Sequence, residues 1–345
     1  MPHAQIGYLG FGSYLPPTIV TNDELASIVD TSDDWIRRRT GIQTRRVLAR
    51  DETILDMAVK AAERALDDAG IRAEDLDDIR VGVVTWCRFP SLATQVQRAI
   101  GAHRASAADV SAGCAGFIYA VEEAYNRLFI AHQRGGHRGH ALVIGVDGLS
   151  HITNWRDRGT CVLLGDGAGA VVIGPSTENQ ILAIHTRAAG HHGDLLYSNA
   201  PLVNQKTNDA AVLFSHHELG PRSYLHMDGP KVFPIAVRTM VEDVHRVIES
   251  HNRWSDDLVS LDDVRYVFPH QANLRIIESV AKRLGVPLDF VYTTGVRDYG
   301  NTSSASIPIG YVDQREHQRG RGDIEVDVAF GAGFASGAIL RRIAA

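Results

Sequence analysis

The 345-residue sequence has few cysteines and no long apolar run. Its three cysteines, Cys87, Cys114 and Cys161, are odd in number and widely spaced, and none belongs to a Cys-x-x-Cys pair. This usage argues against a disulfide framework and is typical of a reducing compartment. No apolar stretch approaches the roughly 18 residues that a membrane-spanning helix needs, and the N-terminus lacks the basic start and apolar block of a secretory signal. We therefore expect a cytoplasmic protein that has no membrane partner.

An excess of positive charge is also missing. The formal net charge is -6 at pH 7, which argues against nucleic acid as the main partner. Hydrophobic residues make up 44% of the chain and charged residues 22%, so a sizeable core can form without metal or disulfide support. The histidine pairs at 191–192 and 216–217 have no nearby cysteine and no helical spacing. We therefore expect no metal site.

Short apolar runs alternate with longer amphipathic stretches along the chain. This alternation predicts an α/β architecture in which helices cover central sheets. The runs interpreted as buried strands are 79–85, 141–146, 168–173, 264–268 and 326–330. The predicted helices are 22–29, 53–69, 115–131, 234–250 and 272–284.

The polar segment 175–180 interrupts this pattern and divides the chain into nearly equal parts. We predict a first half, 1–175, that carries a nucleophilic cysteine, and a second half, 176–345, that carries a histidine and an asparagine. The common plan of strand, small-residue turn and helix indicates an old duplication. The segment 190–224 is rich in His, Asn, Pro and Gly. It is long for a loop in a compact domain, and loops of that length are often functional.

Cys114 lies among small residues at the start of a predicted helix, in the sequence Val-Ser-Ala-Gly-Cys-Ala-Gly-Phe. A helix N-terminus favours the thiolate form because its free N–H groups carry partial positive charge. The small neighbours would let a substrate approach the sulfur closely. We therefore predict that Cys114 is a nucleophile. For Cys87 and Cys161 we favour a structural role, which is the commoner fate of cysteine.

His270 and Asn301 are two further candidates. His270 follows a predicted strand that ends at Pro269, and strand ends are where α/β sheets place their sites. Asn301 lies in a turn that leads into a helix, where a simple N-cap is the structural alternative. The glycine-rich run 165–173 leads into a strand rather than a helix, so we reject a dinucleotide site there.

Six ordered segments together cover almost the whole chain with recognisable motifs. They are TNDELASIVDTSDDWIRRRTGIQTRR (21–46), DVSAGCAGFIYA (109–120), DRGTCVLLGDGAGAVV (157–172), PHQANLRII (269–277), GNTSSASIP (300–308) and FGAGFASGAIL (330–340). They resemble the ketoacyl-acyl-carrier-protein synthase III family of the thiolase superfamily. The resemblance implies a thiolase-like, duplicated five-layer αβαβα fold, a homodimer, and an acyltransferase that uses acyl-CoA as substrate and needs no cofactor.

The resemblance also implies the catalytic roles. Cys114 would attack an acyl-CoA primer and hold the acyl group as a thioester. His270, as a neutral donor, and Asn301 would donate hydrogen bonds to the thioester carbonyl of a malonyl group on an acyl carrier protein. These two donors would stabilise the enolate that decarboxylation leaves. Attack of this enolate on the acyl-cysteine would give a 3-oxoacyl thioester.

Binding roles follow from the same resemblance. Trp35 and Arg158 would flank the adenine ring of coenzyme A, a stacking arrangement that suits an indole and a guanidinium. Arg39 and Arg275 would lie near the phosphates or the docking face for the carrier protein. Phe89 would reach the acyl pocket across the dimer interface.

The turn formed by Gly331, Ala332 and Gly333, together with the N–H of Cys114, would hold the oxyanion. An alanine in the middle of this turn is a departure from the family pattern, but only its N–H is required. The loop at 86–88 is shorter than in relatives, and the segment 190–224 is longer. These departures favour a primer other than acetyl and a role in polyketide or other secondary metabolism.

Three alternatives remain open. One is an acyltransferase or a condensing enzyme on the same scaffold that does not use a malonyl group. Another is a cysteine hydrolase, because the order Cys, His, Asn is also that of papain-like enzymes, although the papain-type signature around the cysteine is absent. The third is a non-catalytic partner subunit, which the retention of Cys114, His270 and Asn301 disfavours.

Overall fold

The computed structural model describes residues 5–135, 139–177, 179–198, 224–315 and 322–343. The strands are β1 Ile6–Tyr14, β2 Thr18–Thr21, β3 Thr44–Val47, β4 Leu76–Gly82, β5 Ser106–Val110, β6 His140–Gly148, β7 Asp166–Pro175, β8 Gln180–Arg187, β9 Leu196–Ser198, β10 Leu225–Met227, β11 Val264–Pro269, β12 Ile324–Phe330 and β13 Ser336–Arg342. The helices are α1 Asn22–Ala26, α2 Asp33–Thr40, α3 Ile54–Ala69, α4 Leu92–Ile100, α5 Gly116–Gln133, α6 Gly229–Asn252, α7 Leu274–Leu284, α8 Thr294–Tyr299 and α9 Ser306–Asp313.

A nine-stranded sheet has the order β11-β12-β13-β8-β1-β7-β6-β4-β5. At its middle, β1 and β8 pair through Gly7 and Gln180, and the Tyr8 N–H donates to the carbonyl of Asn179, just before β8. Two small ribbons, β2 with β3 and β9 with β10, lie outside this sheet. The narrow join divides the sheet into two parts, each of which has its own helical cover.

The two parts of the sheet repeat one topology. In the first, β5 and β6 flank β4 in parallel, and β7 and β1 follow antiparallel. In the second, β12 and a single-residue bridge from Val291 to Val267 flank β11 in parallel, and β13 and β8 follow antiparallel. The same strand order in the same directions is the pattern that the sequence predicts for a duplicated unit.

Helices form three layers around these two sheet parts. The central layer consists of α5, which packs on β4 and β6 and touches β12 and β13, and α9, which packs on β7 and β1. Helices α3 and α4 cover the outer face of the first part, and α6 and α7 cover that of the second. The result is the five-layer αβαβα arrangement. It places the N-termini of the two central helices, α5 and α9, inside the molecule.

Local sequence signals explain why α3 begins and ends where it does. The Thr53 hydroxyl accepts the Asp56 N–H, while the Asp56 carboxylate accepts the Thr53 N–H, which is a capping box. Gly70 ends the helix in the left-handed conformation, at φ +63°. The predicted helix 53–69 therefore agrees closely with the observed one. Alanines dominate its buried face and let the helix approach β1 closely.

Helix α6 differs from its prediction, because it begins at Gly229, five residues before the predicted start at 234. The Asp228 side chain accepts the Lys231 N–H and caps the helix. Pro230 lies in the first turn, where the missing N–H has no helical partner to lose. Pro234, taken as the start, lies inside the helix. The prediction was wrong because it used the second proline rather than the capping aspartate.

In the described part of the chain, no helix combines the length and the apolar character that crossing a membrane requires.

Candidate active site

Cys114 lies directly before α5 and against the turn that follows β12. A Cβ atom on Gly331 would lie 2.2 Å from the Cys114 backbone nitrogen, and a Cβ atom on Gly113 would lie 2.4 Å from the Ala332 nitrogen. Only glycine allows these two backbones to approach so closely. The Gly331 N–H donates to the Ala335 carbonyl at 2.8 Å, so this N–H is already engaged. Within the turn, the predicted oxyanion role therefore falls to the two residues after Gly331.

Opposing influences act on the pKa of the Cys114 thiol. Burial, with a smaller contribution from the nearby Asp147 carboxylate, raises this pKa to about 12. A hydrogen bond with Ser303 acts in the opposite direction, and Ser303 Oγ lies 3.5 Å from Cys114 Sγ. The backbone N–H of Cys114 acts in the direction predicted for a helix N-terminus and lowers the pKa of the thiol, but desolvation outweighs it.

His270 is placed by the end of β11, where its N–H donates to the Val328 carbonyl at 2.8 Å. The side chain is buried, and its Nδ1 lies 2.8 Å from Ser306 Oγ. Burial lowers the pKa of His270 to about 4, although a hydrogen bond with the Ser303 backbone acts against this shift. The imidazole is therefore neutral at pH 7 and can donate a hydrogen bond without carrying charge.

Asn301 lies in the turn between α8 and α9. Its N–H donates to the Leu163 carbonyl at 2.8 Å and its carbonyl accepts the Gly165 N–H at 2.9 Å, which ties this turn to the first half of the chain. The side-chain Oδ1 accepts the Ser303 N–H at 2.9 Å. Because the oxygen of the amide is engaged in this way, its NH₂ group is the part that can donate to a substrate carbonyl.

Ser303 brings the three candidate residues together, and sequence reasoning missed it. Its hydroxyl approaches Cys114, its backbone faces the His270 ring, and its N–H binds Asn301. Its φ of +53° lies in the left-handed region, which is uncommon for a residue other than glycine and is frequent at functional sites. The sequence signal was the pair of hydroxyl residues in the turn before α9.

Asp147 is a second residue that the sequence analysis did not single out. It is fully buried at the end of β6 and accepts the Val84 and Thr85 N–H groups at 2.8 and 3.0 Å. Its Oδ2 also accepts the Ser304 hydroxyl at 3.1 Å. Burial raises the pKa of this carboxyl. The sequence could have indicated this residue, because Asp147 is a charged residue directly after the apolar run 141–146.

The residues predicted to bind coenzyme A or the carrier protein lie around a partly buried indole, that of Trp35. The Arg158 guanidinium lies 4.8 Å from the centre of the Trp35 ring and the Arg39 guanidinium lies 6.0 Å from it. Asn273 donates to the Arg39 carbonyl at 3.3 Å, and the next helix carries Arg275, whose guanidinium is 5.7 Å from the ring of a phenylalanine, Phe233. Two arginines therefore flank one indole, with a third arginine on a neighbouring element.

Phe89 is not part of this group. It precedes α4, and 93% of its surface is exposed. A single exposed apolar side chain is common on protein surfaces, and this one is available for contact with another molecule.

The histidine-rich segment is only partly described. Gly190–Leu195 forms a 3-10 turn, and the His192 ring lies 5.0 Å from Phe334, next to the glycine turn. The second pair, His216 and His217, lies outside the described residues. Within the described ranges, no group of three or more His, Cys, Asp or Glu side chains is placed to hold a metal ion.

Known proteins resemble this chain along nearly its whole length. Family models described as 3-oxoacyl-[acyl-carrier-protein (ACP)] synthase III and as the C-terminal part of that synthase match residues 108–190 and 256–343. A Geobacillus kaustophilus protein named beta-ketoacyl-[acyl-carrier-protein] synthase III is 43% identical over 339 residues. The aligned region covers 97% of this chain and 98% of that relative.

Solved structures agree with the fold. The 3-oxoacyl-[acyl-carrier-protein] synthase III of Aquifex aeolicus has a TM-score of 0.85 at 39% identity and covers 98% of this chain and 99% of its own. The priming beta-ketosynthase of the R1128 polyketide biosynthetic pathway has a TM-score of 0.86 at 33% identity, with coverage of 100% and 98%. These similarities confirm the predicted fold class.

Proposed function

The chain belongs to the 3-oxoacyl-acyl-carrier-protein synthase III family of acyltransferase-type condensing enzymes, and we propose that Cys114, His270 and Asn301 carry out its condensation of an acyl-CoA primer with a malonyl-acyl carrier protein. The observation that carries this assignment is the convergence of the three side chains on the turn at Ser303. A nucleophile and two neutral donors are the set that acyl transfer followed by enolate formation requires.

In the first step the Cys114 sulfur attacks the carbonyl carbon of the acyl-CoA. The new bond joins sulfur to the acyl carbon, the bond to the coenzyme A sulfur breaks, and the proton of the Cys114 thiol is finally carried by the released coenzyme A. The N–H groups of Cys114 and of the turn after Gly331 are proposed to stabilise the tetrahedral oxyanion. Their close approach across Gly113 and Gly331 supports this role.

In the second step the malonyl thioester loses CO₂. His270 Nε2 and the Asn301 amide donate to the thioester carbonyl, where the negative charge of the enolate develops. The enolate carbon then attacks the acyl group on Cys114 and displaces the sulfur as a thiolate, which takes up one proton from solvent. The product is a 3-oxoacyl thioester. A neutral His270 suits this role because its Nε2–H can donate without placing a positive charge in a buried site.

The partners follow from the surrounding surface. Trp35 and Arg158 are proposed to hold the adenine of coenzyme A, while Arg39 and Arg275 are proposed to bind its phosphates or the carrier protein. The proximity of the two arginines to the indole supports adenine stacking. Phe89 is proposed to enter the acyl pocket of a second subunit in a homodimer, which its exposure supports. The three free cysteines fit a location in the cytoplasm.

The primer is proposed to be an acyl group other than acetyl, in secondary metabolism. The short loop at 86–88 supports this choice, and one structural relative is a priming synthase of a polyketide pathway. A second candidate function, which is acyl transfer or condensation on the same scaffold without a malonyl group, is compatible with that relative. Both functions begin with the same acyl-Cys114 intermediate.

The first test is intact-protein mass spectrometry after incubation with a panel of acyl-CoAs. The protein should gain the mass of one acyl group, Cys114→Ala should gain none, and Cys87→Ala, which removes an exposed thiol, should react like the wild type. Addition of malonyl-acyl carrier protein should then remove the acyl group and yield a 3-oxoacyl product. If neither acyl-CoA nor acyl-carrier donors label Cys114, the proposal is wrong. Labelling without malonyl-dependent release would favour the second candidate function.

A further inference from the structure

Ser303 has a backbone conformation that its surroundings must hold in place. Its φ of +53° is unfavourable for a side chain with a Cβ atom, and such a conformation persists only when neighbouring contacts fix it. One contact is the hydrogen bond from its N–H to Asn301 Oδ1. With the backbone held in this way, Ser303 Oγ lies 3.5 Å from the Cys114 sulfur and also within hydrogen-bonding reach of the Asp147 carboxylate.

A second set of contacts fixes the next residue. The Ser304 hydroxyl lies 2.7 Å from the Gly82 carbonyl and 3.1 Å from the Asp147 carboxylate. Asp147 is itself buried and holds the backbone after β4 through the N–H groups of Val84 and Thr85. A buried carboxylate of the first half of the chain therefore anchors a turn that belongs to the second half. These contacts hold the turn in the position at which the Ser303 hydroxyl approaches the Cys114 sulfur.

We propose that Ser303 is a further catalytic residue, whose hydroxyl donates a hydrogen bond to the Cys114 sulfur and stabilises the thiolate as it attacks the acyl thioester. This role deepens the proposed function, because it rests on Cys114 as the nucleophile. Ser303 keeps its own proton throughout the step. The thiol proton leaves with coenzyme A, as in the balanced reaction described above.

The surroundings of the sulfur explain the need for this donor. Burial and the charge of Asp147 both disfavour the thiolate, whereas the Ser303 hydrogen bond favours it. His270 is neutral and therefore supplies no positive charge to the sulfur. A hydroxyl donor stabilises the thiolate without adding charge to a buried site.

The test measures the rate at which iodoacetamide alkylates Cys114 between pH 7 and pH 10, by intact-protein mass spectrometry. All variants carry Cys87→Ala, so that the exposed thiol does not react. Ser303→Ala should lower the alkylation rate about tenfold at each pH, which is the change expected when one hydrogen bond to a charged group is lost. Self-acylation by an acyl-CoA should slow in the same proportion.

Two further variants distinguish the effect of losing the Ser303 hydroxyl from the effect of disturbing the backbone. Ser303→Gly also removes the hydroxyl but accommodates the positive φ, so it should react as slowly as Ser303→Ala even if the alanine variant folds poorly. Ser111→Ala removes an exposed hydroxyl three residues before the nucleophile and should react like the parent. Equal alkylation rates in the parent and in both Ser303 variants would overturn the proposal. Failure of the parent to acylate, with the alkylation difference intact, would overturn the proposed function alone.

Discussion

At the scale of single residues, His270 is a buried imidazole that stays neutral under ordinary conditions. Only 3% of its surface is exposed, and burial lowers its pKa to about 4. In the unfolded chain the same side chain would titrate at its ordinary value of about 6.5. At a pH between these two pKa values, His270 binds a proton in the unfolded chain but not in the folded protein. The stability of the protein must therefore fall as the pH falls through this window.

The expected loss is about 3 kcal/mol at pH 4, the free energy that corresponds to a shift of this size. His270→Gln removes the titrating group, so the variant should lose less stability than the wild type between pH 7 and pH 4. Urea unfolding at both pH values, followed by circular dichroism, measures the difference. If the two proteins lose stability in parallel, His270 is not buried in its neutral form.

The candidate residues could be found from the sequence because each lies where a strand ends or a helix begins. Their convergence could not be found in this way, since Cys114 and Ser303 are separated by 189 positions and spacing says nothing about such a contact. The net pKa of the Cys114 thiol could not be predicted for a similar reason. A helix N-terminus is visible in the sequence, whereas the desolvation that raises the pKa depends on the whole fold. The catalytic roles stay predictions.

At the scale of elements, the turn after β12 and the start of α5 form one backbone-to-backbone contact. Gly331 has an extended conformation, with φ of -152°, so its importance lies in the missing Cβ atom rather than in backbone freedom. Any side chain there would meet the Cys114 nitrogen at 2.2 Å. The atoms nearest to such a side chain belong to the backbone of Gly113, Cys114 and Ala115, and they cannot move aside as a flexible side chain would.

Gly331→Ala should therefore separate the turn from the nucleophile and lower the rate of self-acylation at least about 100-fold, the effect of losing an oxyanion donor. Ala332→Gly is the matched control, because it keeps the N–H and removes only a methyl group. It should retain acylation within a fewfold change. The measurement is the time course of acyl-enzyme formation by intact-protein mass spectrometry. Similar rates in the two variants would contradict the oxyanion role of this turn.

Element boundaries were predictable where local hydrogen bonds decide them. The capping box at Thr21 and the boundaries of α3 were confirmed because the capping side chains are within three residues of the groups they bind. The predicted helix 22–29 nevertheless ends at Ala26, and β4 begins at Leu76, three residues before the predicted strand. These shifts arise because pairing with neighbouring strands and packing decide the ends, and both lie far away in sequence.

At the scale of the whole molecule, the repeated topology determines which residues of the two halves meet at the candidate site. The central helix of each half starts near the middle of the molecule, so Cys114 before α5 and the Ser303 turn before α9 meet there. The strand order of each half was not readable from the sequence, because no residue-level repeat accompanies it. The boundary predicted between residues 175 and 176 falls between β7 and β8 and stays a prediction.

A buried ionic cluster in β12 and β13 lies against aromatic side chains of β1 and α9. The Arg341 guanidinium is fully buried and binds Asp327 through two hydrogen bonds of 2.8 and 2.9 Å. It also lies 2.8 Å from the Glu325 carboxylate. The ring centres of Tyr8 in β1 and Tyr311 in α9 lie 4.9 and 4.6 Å from it. One arginine of the second half therefore contacts a strand of the first half and a central helix.

Arg341→Met should lower the free energy of unfolding by about 3–5 kcal/mol, because it leaves buried carboxylates without their counter-ion. Arg342→Met is the control, since Arg342 is paired with the exposed Asp257 and exposed pairs contribute about 1 kcal/mol or less. Urea unfolding at pH 7 measures both. Equal losses would mean that the buried cluster contributes no more to stability than a surface pair. A much larger loss for Arg341→Met would show that the core of the second half, where β12 and β13 pack against Tyr8 and Tyr311, depends on this guanidinium to neutralise its buried carboxylates.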